Sequence, residues 1–194
     1  MLMGMIMGGF LAGRAAAKEP RPRILIVNSG VVDWGEVFFA KLREYNPELI
    51  SLYHASPRIL NATIGITGWL IPFLLWGLTD TKGKHGVNAP SQLLDSIKSF
   101  TNLEGAGRIK ATTLVSDTEA EEFGQSDQFY DALTCEKDYI LFTKAKAAPL
   151  HFQTGSLSLA SQRIFDWIDE KIEGAGKGSK AGPNPSISMH RFNQ

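Results

Sequence analysis

Side chains that could act as nucleophiles, bases or metal ligands are spread along the chain without a motif that joins them. The four histidines are His54, His85, His151 and His190. No two of them lie four residues apart, the spacing at which one helix face binds zinc. Ser156 and Ser158 lie near His151, but the sequence GSLS is not the G-x-S-x-G motif of a serine hydrolase. We therefore predict no catalytic residue and no metal site.

Two positions could instead hold a cofactor. Ile24–Asn28, with the sequence ILIVN, predicts a buried strand, and Ser29 and Gly30 follow it where nucleotide-binding folds hold a phosphate. The segment lacks G-x-G-x-x-G and the lysine of a P-loop, and Asp33 would repel a phosphate. A plain strand-to-helix turn is the alternative. His85 could ligate a haem or chlorophyll at a membrane surface, or lie in a solvated loop, and overall we predict no cofactor.

The twenty residues from Ile59 to Leu78 are predominantly apolar and contain no charge. At about 1.5 Å per residue, a helix of this length would cross the roughly 30 Å hydrocarbon core of a bilayer. We predict a transmembrane helix, and a buried strand and helix inside an α/β domain is the alternative. The residues expected to pack on a neighbouring subunit or to lie at the membrane interface are Gly65, Gly68, Trp69 and Trp76.

The amino terminus, MLMGMIMGGFLAG, is also apolar. Its glycines form two pairs with a spacing of four residues. They are Gly4 with Gly8, and Gly9 with Gly13. On a helix such pairs share one face and allow a second backbone to approach closely. One interpretation is a membrane helix that packs on a neighbour, and the alternatives are a flexible apolar start or the remnant of a targeting segment.

The remaining periodicity predicts alternating helices and strands. Asp33 and Glu36 form a capping box before a helix that ends at Asn46. Leu49–His54 predicts a second strand, so that residues 24–56 form a βαβ unit. Later segments predict a helix starting at Pro90, strands at 109–116 and 139–143, an acidic helix over 118–133 and a helix over 156–172.

Part of this pattern resembles a known family. The sequence ILIVNSG and the later segment DYILFTK…PLHFQTGSLSLASQRIFDWIDE are similar in pattern to flavodoxin-like quinone reductases. That resemblance implies a flavin-contacting loop after the first strand. The order β-α-β…β-β-α also resembles a thioredoxin-type layout. Cys135 has no partner in a C-x-x-C motif, so thioredoxin-type redox chemistry is not expected.

These observations divide the chain into consecutive segments. They are an apolar, glycine-rich start with a basic connector (1–23), the βαβ unit (24–56), the transmembrane helix (59–78), a small α/β region (88–173) and an extended tail (174–194). The predicted fold class is therefore α/β elements, thioredoxin- or flavodoxin-like, with at least one transmembrane helix.

The composition of the chain argues against some classes of function. Lys and Arg number 20, as do Asp and Glu, and this zero net charge argues against nucleic-acid binding. Cys135 is the single cysteine, which excludes an intrachain disulfide. We interpret the chain as a non-catalytic accessory subunit of an organellar energy-transducing membrane complex: respiratory chain, ATP synthase or photosystem.

Its expected partners are other subunits and the lipid bilayer. The expected location is the mitochondrial inner membrane, with the thylakoid membrane as the alternative. Two other interpretations stay open at this point. One is a membrane-anchored, flavodoxin-like FMN or quinone oxidoreductase, and the other is a soluble α/β binding module.

Overall fold

A computed structural model describes residues 1–121, 124–144, 153 and 155–176. Within this part of the chain, a four-stranded sheet consists of β1 (Leu2–Met5), β2 (Ile24–Asn28), β3 (Thr112–Thr118) and β4 (Lys137–Phe142). The helices are α1 (Met7–Ala16), α2 (Trp34–Tyr45), α3 (Pro47–Ala55), α4 (Pro57–Leu70), α5 (Pro72–His85), α6 (Pro90–Lys98), α7 (Leu103–Ala106), α8 (Ser126–Ala132) and α9 (Leu157–Gly176).

The strands are all parallel and lie in sequence order, β1-β2-β3-β4. Asn28, the last residue of β2, pairs with Met5 of β1 and Ser116 of β3. The carboxyl ends of neighbouring strands therefore meet along one edge. Ligand sites of open parallel α/β sheets lie outside this edge.

Alternate residues of β2 face opposite sides of the sheet, and both sides are covered. Leu25 and Val27 pack with residues of α1 and α8. Ile24 and Ile26 pack against α9. Because both faces are covered, every residue of the strand is buried, which explains its uninterrupted apolar sequence.

A helical insertion, α2 to α6, lies between β2 and β3. It has its own core around Phe39, Leu60 and Leu94. Four of its helices, α3 to α6, have a proline in the first turn, where the missing N–H costs no intrahelical bond. Helix α2 begins after Asp33, whose carboxylate accepts a hydrogen bond from the Glu36 N–H at 2.8 Å. The predicted cap at Asp33 is confirmed.

The predicted transmembrane helix is wrong. The run from Ile59 to Leu78 is divided between α4 and α5. Ile71 is extended, with φ −122° and ψ 96°, because the ring of Pro72 excludes the helical conformation from the residue before it. No helix in the described ranges is long and apolar enough to cross a membrane.

Three further element predictions are corrected. Leu49–His54 lies within α3 and not in a strand, since Pro47 starts a helix there, so 24–56 is not a βαβ unit. Where the acidic stretch 118–133 is described, at 118–121 and 124–133, its helix is the short α8. The amino terminus is a strand followed by a helix, so Gly4 and Gly8 do not share one helix face.

The predicted helix over 156–172 is confirmed by α9, and its apolar side chains are divided between the sheet side and the exposed side. The side that faces the sheet is formed by Ala160, Ile164, Trp167 and Ile168. Leu157, Phe165 and Ile172 are each more than half exposed. Trp167 also donates its indole N–H to Asp138 of β4 at 2.8 Å, which fixes the rotation of the helix on the sheet.

Candidate functional site

One residue, Ile6, joins the end of β1 to the start of α1. Its φ is 49° and its ψ is −119°, a conformation that β-branched residues rarely adopt. Its N–H donates to the carbonyl oxygen of Asn28 at 2.8 Å, so β2 holds the turn in place. Such backbone strain persists where the surroundings fix it, and it clusters at active sites and ligand-binding turns.

Glycines on both sides of Ile6 make this sharp turn possible. A Cβ on Gly4 would lie 2.0 Å from the carbonyl oxygen of Gly8. A Cβ on Gly9 would lie 2.7 Å from the carbonyl oxygen of Ser29. Both distances are shorter than any real contact, so only glycine lets α1 approach β1 and the loop after β2 this closely. We call the segment Gly4–Gly8 the elbow.

Next to the elbow, buried polar groups join the loops that follow the strands. The side-chain amides of Asn28 and Gln153 exchange hydrogen bonds of 2.9 and 3.1 Å. Ser29 donates its hydroxyl to the carboxylate of Glu121, in the loop after β3. The Gly30 N–H donates to the Ser126 hydroxyl at 3.0 Å. The loops after β2 and β3 are therefore fixed to each other.

Gln125 strengthens this connection. Its side-chain oxygen accepts from the backbone N–H groups of Val32 and Asp33 at 3.1 and 2.8 Å. Its amide nitrogen donates to the carbonyl oxygen of Asp33 at 3.0 Å. One buried side chain thus satisfies three backbone groups that enter the helical insertion, and it fixes the insertion relative to the carboxyl edge of the sheet.

Asp117 is a buried acid near the end of β3, with 8% of its surface exposed. It accepts hydrogen bonds from the Tyr139 hydroxyl at 3.0 Å and from the Thr118 N–H at 2.9 Å. Burial raises the pKa of the Asp117 carboxyl, and these hydrogen bonds only partly oppose the change. Burial, followed by the charge of Asp117, also raises the pKa of Tyr139. Asp117 is therefore a more basic carboxylate than an exposed one.

The structure brings Ser29 and Gly30, two of the predicted cofactor-site candidates, into the buried cluster beside the elbow. A Cβ on Gly30 would lie 2.9 Å from Val115, so the loop is tightly packed. The third candidate, His85, belongs to the helical insertion. Its Nδ1 lies 2.8 Å from the Ser96 hydroxyl, and its ring packs on Phe100 with 5.1 Å between centroids. It is not part of the same cluster.

The residues predicted to pack on membranes or partners have different environments. Gly13 lies against the ring of Phe129, where a Cβ would be 3.1 Å from its Cζ. Gly68 faces α5, whereas Gly65 has open space around it. Trp69 and Trp76 are 77% and 63% exposed. His151 and His190 lie outside the described residues.

A separate cleft of about 370 Å³ lies along α1 and α7. Arg14, Lys18 and Arg108 line it together with Asp33 and Glu104. None of its lining residues belongs to the elbow. In the described parts of the chain, no group of three or more His, Cys, Asp or Glu side chains could hold a metal ion.

No protein-family model and no curated protein sequence matches the chain. Solved structures do match it. The α/β hydrolase GrgF from Penicillium sp. sh18 aligns with a TM-score of 0.50 and 14% identity, over 87% of this chain and 62% of the hydrolase. Two Mycobacterium tuberculosis structures align less well. Rv0554 has a TM-score of 0.45 and 17% identity, over 86% of this chain and 64% of that one.

The second, BpoC of strain H37Rv, described as a non-heme bromoperoxidase, has a TM-score of 0.44 and 17% identity, over 87% of this chain and 66% of that one. The chain thus spans less than two thirds of the length of these three proteins. At these identities the likeness concerns the fold. The fold is a mixed α/β fold with a parallel sheet, and it resembles α/β hydrolases.

These findings overturn the interpretation as an organellar membrane subunit. The span on which it depended is absent from the described helices, and the fold resembles a class of enzymes and not a thioredoxin or flavodoxin. The expectations of a non-enzymatic role and of a mitochondrial or thylakoid membrane location are therefore wrong. The flavin oxidoreductase and binding-module alternatives are not supported either.

The elbow is the feature that sequence analysis missed. Its signal is a pair of glycines four residues apart, centred on the residue between a strand and a helix, as in Gly4-Met5-Ile6-Met7-Gly8. Hydrolases of this fold have G-x-S-x-G at such a turn. Because residue 6 is isoleucine and its neighbours are methionines, the segment had the composition of an apolar helix.

Proposed function

We propose that the chain belongs to an enzyme of the α/β-hydrolase class that hydrolyses an apolar carbonyl compound without forming a serine acyl-enzyme. The observation that carries this proposal is the elbow, with Ile6 at φ 49° between the two glycines. The alignment with an α/β hydrolase supports the same assignment of the fold.

The elbow retains a backbone N–H where hydrolases bind the oxyanion, but it lacks their nucleophilic side chain. In α/β hydrolases the residue at the tip of this turn is the nucleophile, and the N–H of the next residue helps to bind the oxyanion. Here those positions are held by Ile6 and Met7. Met7 begins α1, and the first N–H groups of a helix have no partner within it. An isoleucine side chain has no atom that can attack a carbonyl, so water must be the nucleophile.

The base follows from the order of residues along the chain. Triads of this fold run nucleophile, then acid, then histidine. Glu121 follows β3 and accepts a hydrogen bond from Ser29. His151 is the first histidine after β4 in the sequence, and its assignment rests on chain order alone. In this proposal His151 takes a proton from water, the water oxygen bonds to the carbonyl carbon, and the leaving alkoxide then takes the proton. Glu121 takes the place of the acid in this order along the chain.

Apolar side chains around the elbow favour an apolar acyl group. Met5 is 44% exposed beside Ile6, and methionine side chains adapt to ligands of irregular shape. We therefore expect esters with medium or long acyl chains to be better substrates than acetates.

The test is hydrolysis of p-nitrophenyl esters of increasing chain length by the full chain. Glu121→Gln and His151→Gln should each lower kcat/KM by about 10²-fold or more, the usual contribution of a general base. Glu119→Gln is the matched control, since Glu119 lies in the same loop and its carboxylate accepts the Lys144 N–H. It should change kcat/KM little.

A fluorophosphonate probe tests the missing nucleophile. The wild-type chain should not be labelled, whereas Ile6→Ser should become labelled at residue 6. Inactivation of the wild type by the probe would contradict the proposal. So would the absence of turnover for every ester, or full activity in both Glu121→Gln and His151→Gln.

A further inference from the structure

The end of the α4–α5 hairpin exposes a continuous group of large apolar side chains. We call it the hairpin tip, and it consists of Ile66, Trp69, Leu70, Ile71, Phe73, Leu75 and Trp76. Phe73 and Trp69 are 78% and 77% exposed, and each of the others is at least 47% exposed. Exposed apolar patches of this size are rare on monomers and mark interaction surfaces.

The hairpin tip is held firmly by the rest of the insertion. Leu60, near the start of α4, is fully buried, and the Asn61 side-chain oxygen accepts the Ser91 N–H of α6 at 2.8 Å. Gly68 lets the two helices approach, with Leu75 and Leu78 each 3.7 Å from the position of its Cβ. A preorganised surface loses little conformational entropy on binding.

The charge pattern allows the tip to face a copy of itself. The sequence contains no charged residue from Ile59 to Thr79. Arg58 lies before this stretch and Asp80 lies after it. In a two-fold interface the same patch meets itself, so a patch without charge brings no like charges together. The flanking Arg58 and Asp80 are of opposite sign.

The available area suits a dimer. The three aromatic side chains of the tip together expose roughly 400 Å², given about 150–250 Å² for each fully exposed side chain. That is about half of the roughly 800 Å² that each partner contributes to a standard interface. The exposed aliphatic side chains around them supply the remainder. Aromatic residues at the centre of an apolar patch are also the usual hot spots of binding.

We propose that the hairpin tip is a homodimer interface, in which two copies of this chain pair through α4 and α5. The pairing does not depend on the proposed hydrolytic chemistry, since none of its residues belongs to the elbow or the buried cluster beside it.

The test is sedimentation velocity and light scattering of the full chain over a range of concentrations. The wild type should sediment as a species of twice its mass of 21.3 kDa. The double variant Trp69→Glu/Phe73→Glu should be monomeric, with a dimer dissociation constant raised by about 100-fold or more, as expected for two hot-spot residues. Tyr45→Glu is the control: Tyr45 is 67% exposed but lies on α2, outside the tip, and this variant should stay dimeric. Far-UV circular dichroism checks that each variant is folded.

Three results would overturn the proposal. The first is a wild type that stays monomeric at every concentration. The second is a Trp69→Glu/Phe73→Glu variant that dimerises as well as the wild type. The third is a different occupant of the tip, shown either by wild-type monomers that bind phosphatidylcholine vesicles or by dimers that form only after deletion of residues 177–194.

Discussion

Asn28 and Gln153 form a buried pair in which each side-chain amide donates one hydrogen bond and accepts one, although 125 residues separate them in the chain. Their exposed fractions are 2% and 1%. The pair connects the end of β2 with the segment that follows β4. Because the oxygen and the nitrogen of both side-chain amides are buried, loss of one partner leaves the polar atoms of the other without compensation.

Replacement of one member of this pair should therefore destabilise the fold. Asn28→Leu should lower the free energy of unfolding by about 1–3 kcal/mol, the cost of a buried amide without its partner. The double variant Asn28→Leu/Gln153→Met should recover part of this loss, since both polar groups are then gone. Urea denaturation measures both values. Asn88→Leu, at an exposed position, should stay within about 0.5 kcal/mol of the wild type. An equal loss in the single and double variants would contradict this account.

Two glycines of the elbow should respond in opposite ways to alanine. Gly4→Ala would place a Cβ 2.0 Å from the Gly8 carbonyl oxygen, so we expect a loss of about 3 kcal/mol or more, or failure to fold. Gly8→Ala meets no atom within 4 Å and lies in a helix, so it should be neutral or stabilising by up to about 1 kcal/mol. Thermal denaturation distinguishes the two. Similar tolerance at both positions would show that the close approach is not needed.

At residue 6 the usual preference for alanine over glycine should be reversed. Ile6→Ala keeps a Cβ at φ 49°, whereas Ile6→Gly removes it and relieves the strain. We expect the glycine variant to be more stable than the alanine variant by about 1 kcal/mol. Ala40→Gly, at an exposed site within α2, is the control for the ordinary order, in which alanine is more stable than glycine. It should lower the free energy of unfolding by about 1 kcal/mol. Equal stabilities of the two residue-6 variants would exclude backbone strain at the elbow.

The pH dependence of stability should change when Asp117 is replaced. Its pKa is raised in the folded state by burial, so the folded state holds the proton more tightly than the unfolded chain. The stability that protonated Asp117 contributes to the fold is fully present below its unfolded pKa and is lost as the pH rises through its folded pKa. The stability of Asp117→Asn relative to the wild type should therefore increase from pH 3 to pH 7, as measured by urea denaturation at each pH.

Asp138 gives the opposite sign and serves as the comparison. Burial acts to raise its pKa, but hydrogen bonds from Lys171 and Trp167 outweigh that effect and the pKa is lowered. Its contribution is present above the unfolded pKa and is lost as the pH falls through the folded pKa. Asp138→Asn should therefore lose stability relative to the wild type as the pH rises from 3 to 7. Parallel trends for the two variants would refute one of the two assignments, and the direction of the shared trend would show which one.

Elements with strong local signals could be predicted from the sequence. The strand Ile24–Asn28 is apolar throughout because both faces of the sheet are covered. The start of α2 followed from Asp33 and Glu36, and the position of α9 followed from its apolar periodicity. Each of these signals depends on residues within one or two turns of one another.

The error at Ile59–Leu78 has a different origin. Hydropathy reports residue type and not exposure, so an apolar hairpin tip and a transmembrane helix have the same signal. Pro72 contained the decisive information, because it forces Ile71 out of the helical conformation and separates α4 from α5. Proline is also common in membrane helices, and this made it uninformative in isolation.

The candidate site could not be found locally. The turn at Ile6 depends on a hydrogen bond to Asn28, and the demand for glycine at residue 9 depends on Ser29 in another loop. Because residue 6 is isoleucine and not serine, the sequence lacks the G-x-S-x-G motif by which such turns are recognised. Residue 6 is identified as the strained turn residue only in three dimensions, from the register in which β1 pairs with β2.

The position of the helical insertion has a consequence for evolution. It lies in one connection, between the end of β2 at Asn28 and the start of β3 at Thr112. The pairing of these two strands does not depend on how the chain returns. Closing a loop becomes costlier only with the logarithm of its length, by about 0.6 kcal/mol for each doubling. Helices can therefore be gained, lost or rearranged between these two strands at small thermodynamic cost, so the insertion is free to diversify while the sheet and the elbow stay the same.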